Sequence, residues 1–228
     1  NILNVSGNVK FIDKNINLTI FSDKATYFKN KEIVLTNGNS KAISKNNIIT
    51  SSNFNLDINQ NILIADKKEK YEDKNDDFII LSNKATYKKK DEMIFTEGNS
   101  NAIYENYKLN ASNFKFDRNK NILTANNKVE FIDEENDLMI YSDQAIYQKN
   151  NETILTKGNS KAINLNNTIT ASNFKFDRNK NILSAEGKVK FEDEKDGFTV
   201  FSNNATYFKN DNIIKTKGNS KAINLNNT

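Results

Sequence analysis

Residues 156–167 read TKGNSKAINLNN, and residues 216–227 repeat the same twelve letters. Two variants begin at Thr36 (TNGNSKAISKNN) and at Thr96 (TEGNSNAIYENY). The glycines of these four copies are 60 residues apart: Gly38, Gly98, Gly158 and Gly218. Self-similarity at a fixed period is typical of repeat architectures, in which each unit packs on its neighbours. We therefore interpret the repeated segment as a structural element of a repeat fold.

A second series with the same period falls between these copies. Gly7 and Gly187 belong to it, and Lys67 and Asn127 occupy its other two positions. The two series interleave at 31 and 29 residues, so the basic unit has about 30 residues and two alternating forms. This regular spacing predicts that every unit has the same three-dimensional shape.

The run through each glycine alternates apolar and polar residues. Val34, Thr36, Gly38, Ser40 and Ala42 share one face, and the opposite face is mostly polar. This pattern predicts a strand of about 11 residues, roughly 37 Å long, with one buried face. A strand of this length normally bends, and glycine marks the bend on the inward face, where a side chain would collide with the opposing layer. The predicted bends are at Gly7, Gly38, Gly98, Gly158, Gly187 and Gly218.

The second run of each unit is predicted to bend at a β-bulge. In residues 18–27 (LTIFSDKATY), Ile20 and Ser22 share one parity, whereas Ala25 and Tyr27 share the other. One inserted residue in this run explains the change. No segment has apolar residues at convincing helical spacing. We therefore predict an all-β fold of about 15 bent antiparallel strands, forming two facing sheets around a hydrophobic trough, with residues 1–228 as a single repetitive domain cut at both ends.

The inward positions are rich in aliphatic and aromatic residues, but they are small near the crease, as at Thr36, Ala65 and Thr96. A line of small residues either leaves a groove for a lipid tail or lets the two sheets approach closely in an ordinary sandwich core. The sequence leaves both interpretations open. The predicted groove-lining residues are Phe11, Leu18, Ile20, Tyr27, Val34, Ile80, Tyr87, Ile94, Leu109, Phe114, Phe116, Leu123, Phe131, Leu138, Ile140, Tyr147, Ile154, Ile169, Phe174, Phe176, Leu183, Phe191, Phe198, Val200 and Tyr207.

The composition bounds the chemistry. Pro, Cys, His and Trp are absent, which excludes disulfides, Cys- or His-ligated metal sites and His-based catalysis from this segment. Basic and acidic residues number 33 and 29 and are interspersed, so nucleic-acid binding is not indicated. A carboxylate-only hydrolase is an alternative, based on the acidic clusters 73–77 and 192–194, but solvated turn charge explains both clusters more simply. We predict no enzyme activity, no metal and no cofactor.

Several phrases resemble the OstA-like domain, the periplasmic β-jelly-roll (β-taco) of lipopolysaccharide transport. They are Gly7-Asn8-Val9, the run SDKATY at residues 22–27, and the run FDRNKNILTA at residues 116–125, and their repetition extends the resemblance over all 228 residues. The resemblance implies a trough that binds lipid A acyl chains and leaves the sugars in water. Lys67 and Asn127 depart from the glycine pattern, so those bends must be made by residues with side chains.

The resemblance also implies partners and a location. Within the family, an LptD-type N-terminal region of a longer chain is favoured, with an LptA-type bridge second and an LptC-type module as a further alternative. The expected partners are lipopolysaccharide and other jelly-roll modules that dock by their edge strands. An LptD-type protein would add its own outer-membrane barrel and a plug lipoprotein. The expected location is the periplasm, or the periplasmic face of the outer membrane, of a Gram-negative bacterium. A structural β-solenoid or surface adhesin with parallel strand contacts is the alternative from a different class.

Overall fold

The computed structural model describes residues 1–75 and 77–224, and this part of the chain is all-β. Its 22 strands are accompanied by two short 3₁₀ turns, Lys149–Asn151 and Lys209–Asp211. The strands are β1 (Ile2–Asp13), β2 (Leu18–Phe28), β3 (Ile33–Asn37), β4 (Ser40–Ser44), β5 (Asn47–Ser51), β6 (Asn53–Asp57), β7 (Ile62–Asp73), β8 (Phe78–Lys88), β9 (Met93–Glu97), β10 (Ser100–Tyr104), β11 (Tyr107–Ala111), β12 (Asn113–Asp117), β13 (Ile122–Asp133), β14 (Leu138–Gln148), β15 (Thr153–Lys157), β16 (Ser160–Asn164), β17 (Asn167–Ala171), β18 (Asn173–Asp177), β19 (Ile182–Asp193), β20 (Phe198–Phe208), β21 (Ile213–Lys217) and β22 (Lys221–Asn224). Among the described residues, no helix is long and apolar enough to cross a membrane.

The strands follow the predicted repeat. Two long strands of 11 or 12 residues are followed by pairs of short strands, whose members are separated by one to three residues. Within the described chain there are eight long strands and seven such pairs, which gives the fifteen bent strands expected from the sequence. Each described strand pairing is antiparallel, as in β1–β2 and β3–β6. The predicted antiparallel all-β class is confirmed, and the parallel contacts expected for a β-solenoid are contradicted.

The chain divides into two compact units, of which unit 1 comprises residues 1–105 and 112–120. Unit 1 has two walls that share its long strands. In pairing order, the first wall contains residues 2–6 of β1, 24–28 of β2, β3, β6, 62–66 of β7, 84–88 of β8, β9 and β12. The second wall contains residues 9–13 of β1, 18–22 of β2, β4, β5, 69–73 of β7, 78–82 of β8 and β10. The line along which the long strands pass between the walls is called the crease.

Unit 2, residues 106–111 and 121–228, repeats this plan within its described part. Its first wall contains residues 122–126 of β13, 144–148 of β14, β15, β18, 182–186 of β19, 204–208 of β20 and β21. Its second wall contains β11, residues 129–133 of β13, 138–142 of β14, β16, β17, 189–193 of β19, 198–202 of β20 and β22. That residues 1–228 form one domain stays a prediction.

The long strands bend where their ladder carries one extra residue. Ser6 pairs with Lys24 and Val9 with Ser22, so two residues of β1 face one residue of β2. The extra residue therefore lies in the glycine-series strand, at Gly7–Asn8, and the expectation that it lies in the second run is wrong. Both residues have positive φ, 82° at Gly7 and 49° at Asn8. This conformation lets β1 bend at the bulge while its pairing with β2 continues on both sides. The second run still changes parity, but it does so at the corner itself.

The same ladder shift recurs in the other three repeats, with or without glycine. Lys67 and Asn127 adopt φ values of 68° and 61°, so the bends there are made by residues with side chains. The six predicted bend glycines all lie at positive φ: Gly7, Gly38, Gly98, Gly158, Gly187 and Gly218.

The bend glycine faces the neighbouring strand, not the opposing wall. At Gly158, between β15 and β16, φ is 78°. A Cβ built there would lie 2.5 Å from Oδ2 of Asp143, an exposed side chain of β14. The expected collision with the opposing layer is therefore wrong. The positive φ turns the Cβ direction outward, while the buried Thr156 and Ser160 point inward.

Those two side chains close the inner corner with a chain of hydrogen bonds. The backbone N–H of Phe174 donates to Thr156 Oγ1 over 2.8 Å, and the Thr156 and Ser160 hydroxyls lie 2.6 Å apart. Ser160 Oγ donates to the backbone oxygen of Ser172 over 3.4 Å. Equivalent contacts join Phe54 to Thr36 and Phe114 to Thr96. The pattern Thr-x-Gly-Asn-Ser in the repeated dodecamer is thus a structural corner.

Replacing Thr156 by valine is expected to lower the free energy of unfolding by about 1–3 kcal/mol, because the buried N–H of Phe174 loses its acceptor. The measurement is urea unfolding of the variant and of the wild-type chain. Thr216→Val is the matched control: it changes the same letter of an identical dodecamer at an exposed position, and little effect is expected. Equal losses in both variants would contradict the structural role of the corner.

Candidate functional site

The candidate site is the apolar interior between the two walls of each unit. The first and second walls meet through aromatic side chains, such as Phe116 and Phe78 in unit 1, whose ring centroids are 5.0 Å apart. In unit 2, Phe176 and Phe131 are 6.4 Å apart and Tyr207 and Phe191 are 5.8 Å apart. The interior of each unit is therefore filled by side chains from both walls.

The structure places the predicted lining residues on the inner faces of these walls. All but four of the twenty-five are buried. The four partly exposed ones are Phe11, Tyr27, Phe198 and Val200, which lie on β1, β2 and β20. The role of the twenty-five residues in binding a lipid stays a prediction. The small residues near the crease are buried as well, with Ala65 and Ala125 both at 0% exposure.

Sequence reasoning missed several interior residues. Phe54, Leu56 and Leu63 are buried, and each lies 60 residues before a residue that was predicted, so the repeat itself held the signal. Tyr107 is also buried, and its ring centroid lies 5.4 Å from that of Tyr147. The equivalent position 60 residues earlier is Asn47, so periodicity could not have found Tyr107.

The walls are held together at their free ends, opposite the crease, by polar side chains. We call this side of each unit the mouth. In unit 1, Lys89 Nζ donates to Ser44 Oγ over 2.5 Å. In unit 2, Arg178 Nε donates to Asp133 Oδ2 over 3.0 Å, and its guanidinium lies 4.5 Å from the ring centre of Tyr107. These contacts close the mouth, and no strand pairing crosses it in the part of the chain that the structure describes.

Further polar contacts close the mouth of unit 2. Asn167 Nδ2 donates to Asn212 Oδ1 over 3.0 Å, from the second wall to the first. Lys209 Nζ donates to the backbone oxygen of Asn136 over 2.5 Å. Burial lowers the pKa of the Lys209 ammonium from its ordinary value, although Asp133 and Asp137 oppose that shift.

One carboxyl group lies inside unit 1. Glu69 is 2% exposed and stands where the other repeats have valine. Ser82 Oγ donates to Glu69 Oε2 over 2.7 Å, and the Tyr87 hydroxyl donates to Oε1. Burial raises the pKa of Glu69 to about 7, and these two hydrogen bonds only partly counter it. The interior of unit 1 therefore carries a group that titrates near neutrality.

In each acidic cluster considered for hydrolysis, one carboxylate stabilises a turn. Asp193 Oδ1 accepts the backbone N–H groups of Lys195 and Asp196, each over 2.9 Å. Asp73 Oδ1 accepts the N–H of Asn75 over 3.1 Å. Asp76, which belongs to the first cluster, lies outside the described residues. One carboxylate of each cluster, Asp73 and Asp193, thus has a structural explanation.

Fold and interior define a two-walled antiparallel β-roll with an apolar interior. No protein-family model and no curated protein matches the chain. Among solved structures, the chain is similar to LptH, described as the LptA homologous periplasmic component of the conserved lipopolysaccharide transport device from Pseudomonas aeruginosa. The identity is 13%, the match covers 53% of this chain and 96% of that chain, and the TM-score is 0.49. At this level the likeness does not define a function.

Proposed function

We propose that this chain is a lipid-carrying module of lipopolysaccharide transport, which holds lipid A acyl chains between its two walls and leaves the sugars in water. One observation carries the proposal: in the described residues each strand pairing lies within one wall, so the walls are joined by backbone only along the crease. Contacts made by side chains close the mouth, such as the hydrogen bond from Lys89 to Ser44. In such a roll the two walls can separate at the mouth and pivot about the crease, while the strand pairings within each wall stay intact.

The energetics favour acyl chains as the occupant. Parting the walls separates apolar side chains such as Phe116 and Phe78, and exposing them to water is costly. An acyl chain between the walls restores their burial and contributes about 0.8 kcal/mol for each CH₂ group that it buries. One chain is thus worth on the order of 10 kcal/mol as an upper bound. Breaking a hydrogen bond to a charged group at the mouth, such as that between Lys89 and Ser44, costs about 1.5–3 kcal/mol.

The family resemblance of the repeated phrases supports the same proposal. It extends to an LptD-type N-terminal region in a periplasmic location, with lipopolysaccharide and further jelly-roll modules as partners. For an LptD-type protein, the partners include its own outer-membrane barrel and a plug lipoprotein. The chain acts by binding and conduction, and no covalent chemistry is proposed. The acidic clusters in the turns give no reason to favour a hydrolase.

Photocrosslinking tests the proposal. A benzophenone amino acid at Phe116, which is buried between the walls of unit 1, is expected to form adducts with lipopolysaccharide in the purified protein. The same probe at Ile140 tests unit 2. The matched control is Lys115, the exposed neighbour of Phe116 on the outer face of β12. Adducts at Lys115 alone, or at none of the three positions, would refute an acyl-binding interior.

A structural repeat without a lipid role is the remaining alternative. It shares the same fold, but it gives the interior no reason to open. The crosslinking experiment separates the two, because a permanently closed core yields no adducts at Phe116 or Ile140.

A further inference from the structure

A polar basin of about 490 Å³ lies at the mouth of unit 1. It spans the mouth, because turns of both walls line it. The second wall contributes the turns after β1 and β4, and the first wall contributes those after β6, β8 and β12. The lining residues are Asn15, Ile16, Asn17, Ser44, Lys45, Asn47, Asn61, Lys89, Lys90, Glu92, Arg118 and Asn119.

The lining of the basin is cationic. Four basic residues and one carboxylate give it a formal charge of +3. Glu92 is already paired with Arg118, whose guanidinium also lies 5.7 Å from the ring centre of Tyr71. Lys45 and Lys90 are exposed, and in the described part of the chain no carboxylate lies within ion-pair distance of either. Two ammonium groups are therefore available to an anionic ligand.

Lys89 is the cation that crosses the mouth. Its Nζ reaches from the turn after β8 to Ser44 at the end of β4. Burial lowers the pKa of Lys89, while the carboxylates of Glu92 and Asp13 act in the opposite direction. An anion beside this ammonium would replace solvation that burial has removed.

Side-chain amides supply the other half of the lining. Asn15, Asn17, Asn47, Asn61 and Asn119 all border the basin. An amide group has both donors and an acceptor, which matches a hydroxyl group that also donates and accepts. Two of these amides are partly engaged: Asn47 Oδ1 accepts the Tyr71 hydroxyl over 2.9 Å, and Asn119 Nδ2 donates to the backbone oxygen of Asp91 over 3.4 Å. A ligand that combines hydroxyl groups with negative charge fits this lining better than a bare anion does.

Two of the four cations of the basin, Lys45 and Lys90, are particular to this place in the chain. The positions 60 and 120 residues later are Glu105 and Leu165 for Lys45, and Asn150 and Asn210 for Lys90. The architecture repeats while these two cations do not, so the fold does not require them. Their presence at one point of the repeat indicates a local role.

The basin adjoins the interior of unit 1. Directly behind it is a cavity of about 30 Å³, lined on its inner side by Ile49, Tyr71, Tyr87 and Ile94. Ser44, Asn47, Lys89, Glu92 and Arg118 line both spaces. Parting the walls here would join the polar basin to the apolar interior, which is the geometry that an amphiphile requires.

We infer that the basin of unit 1 binds a phosphorylated saccharide head group, whose acyl chain enters the interior beside Tyr71 and Tyr87. Lys45, Lys89 and Lys90 neutralise the phosphate, and the asparagine amides bind the sugar hydroxyls. The acyl part of this inference rests on the proposed function, whereas the recognition of the sugar phosphate does not.

The first test is calorimetric titration with a soluble probe, glucose 6-phosphate, at low ionic strength. We expect saturable binding that weakens at least tenfold in the double variant Lys45→Gln/Lys90→Gln and also weakens with added salt. Lys157→Gln/Lys188→Gln, which removes the same charge from unit 2, is expected to bind as the wild type does. Inorganic phosphate and glucose are each expected to bind at least tenfold more weakly than glucose 6-phosphate. Absence of binding, equal affinity in the double variant, or equal affinity for inorganic phosphate would each overturn the inference.

The second test separates a lipid head group from a free sugar phosphate. The Phe116 crosslink is repeated with intact lipopolysaccharide and with enzymatically dephosphorylated lipopolysaccharide. We expect dephosphorylation to reduce the adducts several-fold in the wild type and to have no further effect in Lys45→Gln/Lys90→Gln. Adducts that depend on neither change would overturn the head-group site and leave the proposed function intact. Glucose 6-phosphate binding without any adduct would overturn the proposed function and the head-group assignment, and it would leave a site for a free sugar phosphate.

Discussion

Replacing Phe176 by alanine is expected to lower the free energy of unfolding by about 3–5 kcal/mol and, in the same protein, to increase the binding of an apolar ligand. Phe176 on β18 is 0% exposed, and its ring meets Phe131 of the opposite wall. Truncation removes the ring and leaves a cavity between the walls, because the two ladders hold the backbone in place. An ordinary core and a lipid-binding interior share the loss of stability. Only the second predicts a gain in the binding of a fatty acid, which is longer than the cavity left by one ring and enters only if the walls part.

Urea unfolding measures the first effect, and titration with a fluorescent fatty acid measures the second. Lys175→Ala is the matched control, because Lys175 is the exposed neighbour of Phe176 on the same strand. A change of stability within about 0.5 kcal/mol is expected for this control, as for most surface substitutions. A Phe176→Ala protein that loses stability without binding more fatty acid would favour a permanently packed core.

The strand plan was predictable because one period controls it. Alternation around Gly38 identifies the buried face, and the 60-residue spacing carries this assignment to every other copy. The corner at Thr156 and Ser160 was assigned to the inward face for the same reason. Its hydrogen-bond chain was not predictable, since it depends on the backbone N–H of Phe174, which comes close only after the next strand has folded.

The errors concern local geometry, which parity does not contain. The sequence shows that Ser22 and Ala25 are on opposite parities, but either strand of a ladder can carry an extra residue. The positive φ values at Gly7 and Asn8 decide between them. Likewise, the inward assignment of Gly158 by parity fails because a positive φ reverses the direction of its Cβ.

The contacts at the mouth could not be predicted from the sequence for a different reason. Lys89 lies in the turn after β8 and Ser44 at the end of β4, so they belong to different walls. They are 45 residues apart, which is not a multiple of the unit of about 30 residues, so the repeat does not link them. Lys45 and Lys90 break the repeat, which singles them out only after their turns are known to face the same basin. Departures from a repeat are therefore where function is to be sought, and Glu69 is the departure with the largest expected energetic effect.

Glu69 is expected to make the chain less stable as the pH rises from about 4.5 to about 7. In the unfolded chain the carboxyl ionises at its ordinary value of 4.5, whereas in the folded chain its pKa is about 7. Between these values the folded state holds a proton that the unfolded state has released, so the free energy of unfolding falls with increasing pH. At 1.36 kcal/mol for each pH unit, the total loss is about 3 kcal/mol, and it persists above pH 7. Below pH 4.5 the carboxyl is protonated in both states, so the chain has its full stability and this loss is absent.

The groups around Glu69 support this direction. Ser82 and Tyr87 of β8 donate hydrogen bonds to the carboxylate, and Tyr71 lies beside Tyr87 with ring centroids 6.0 Å apart. Arg118, the nearby cation that acts on both tyrosines, is paired with Glu92. The hydrogen bonds favour the ionised form, but burial outweighs them. Burial and Glu69 itself raise the pKa of Tyr87, so its hydroxyl stays protonated as a donor.

Glu69→Gln isolates the titration, because glutamine has nearly the same shape and stays neutral. At pH 8 we expect this variant to be about 2–3 kcal/mol more stable than the wild type, and at pH 4 we expect the two proteins to differ little. Urea unfolding at several pH values provides the measurement. Glu72→Gln is the control on the same strand: Lys70 lowers the pKa of Glu72, so this variant should retain the pH dependence of the wild type.

If the free energy of unfolding has the same slope against pH in Glu69→Gln and in the wild type between pH 4.5 and 7, Glu69 does not titrate inside the folded unit. If the slope disappears in Glu69→Gln alone, the interior of unit 1 in the wild-type protein gains a negative charge near neutral pH. In that case it should take up an acyl chain more readily below pH 7 than above it, because an ionised carboxylate opposes an apolar occupant.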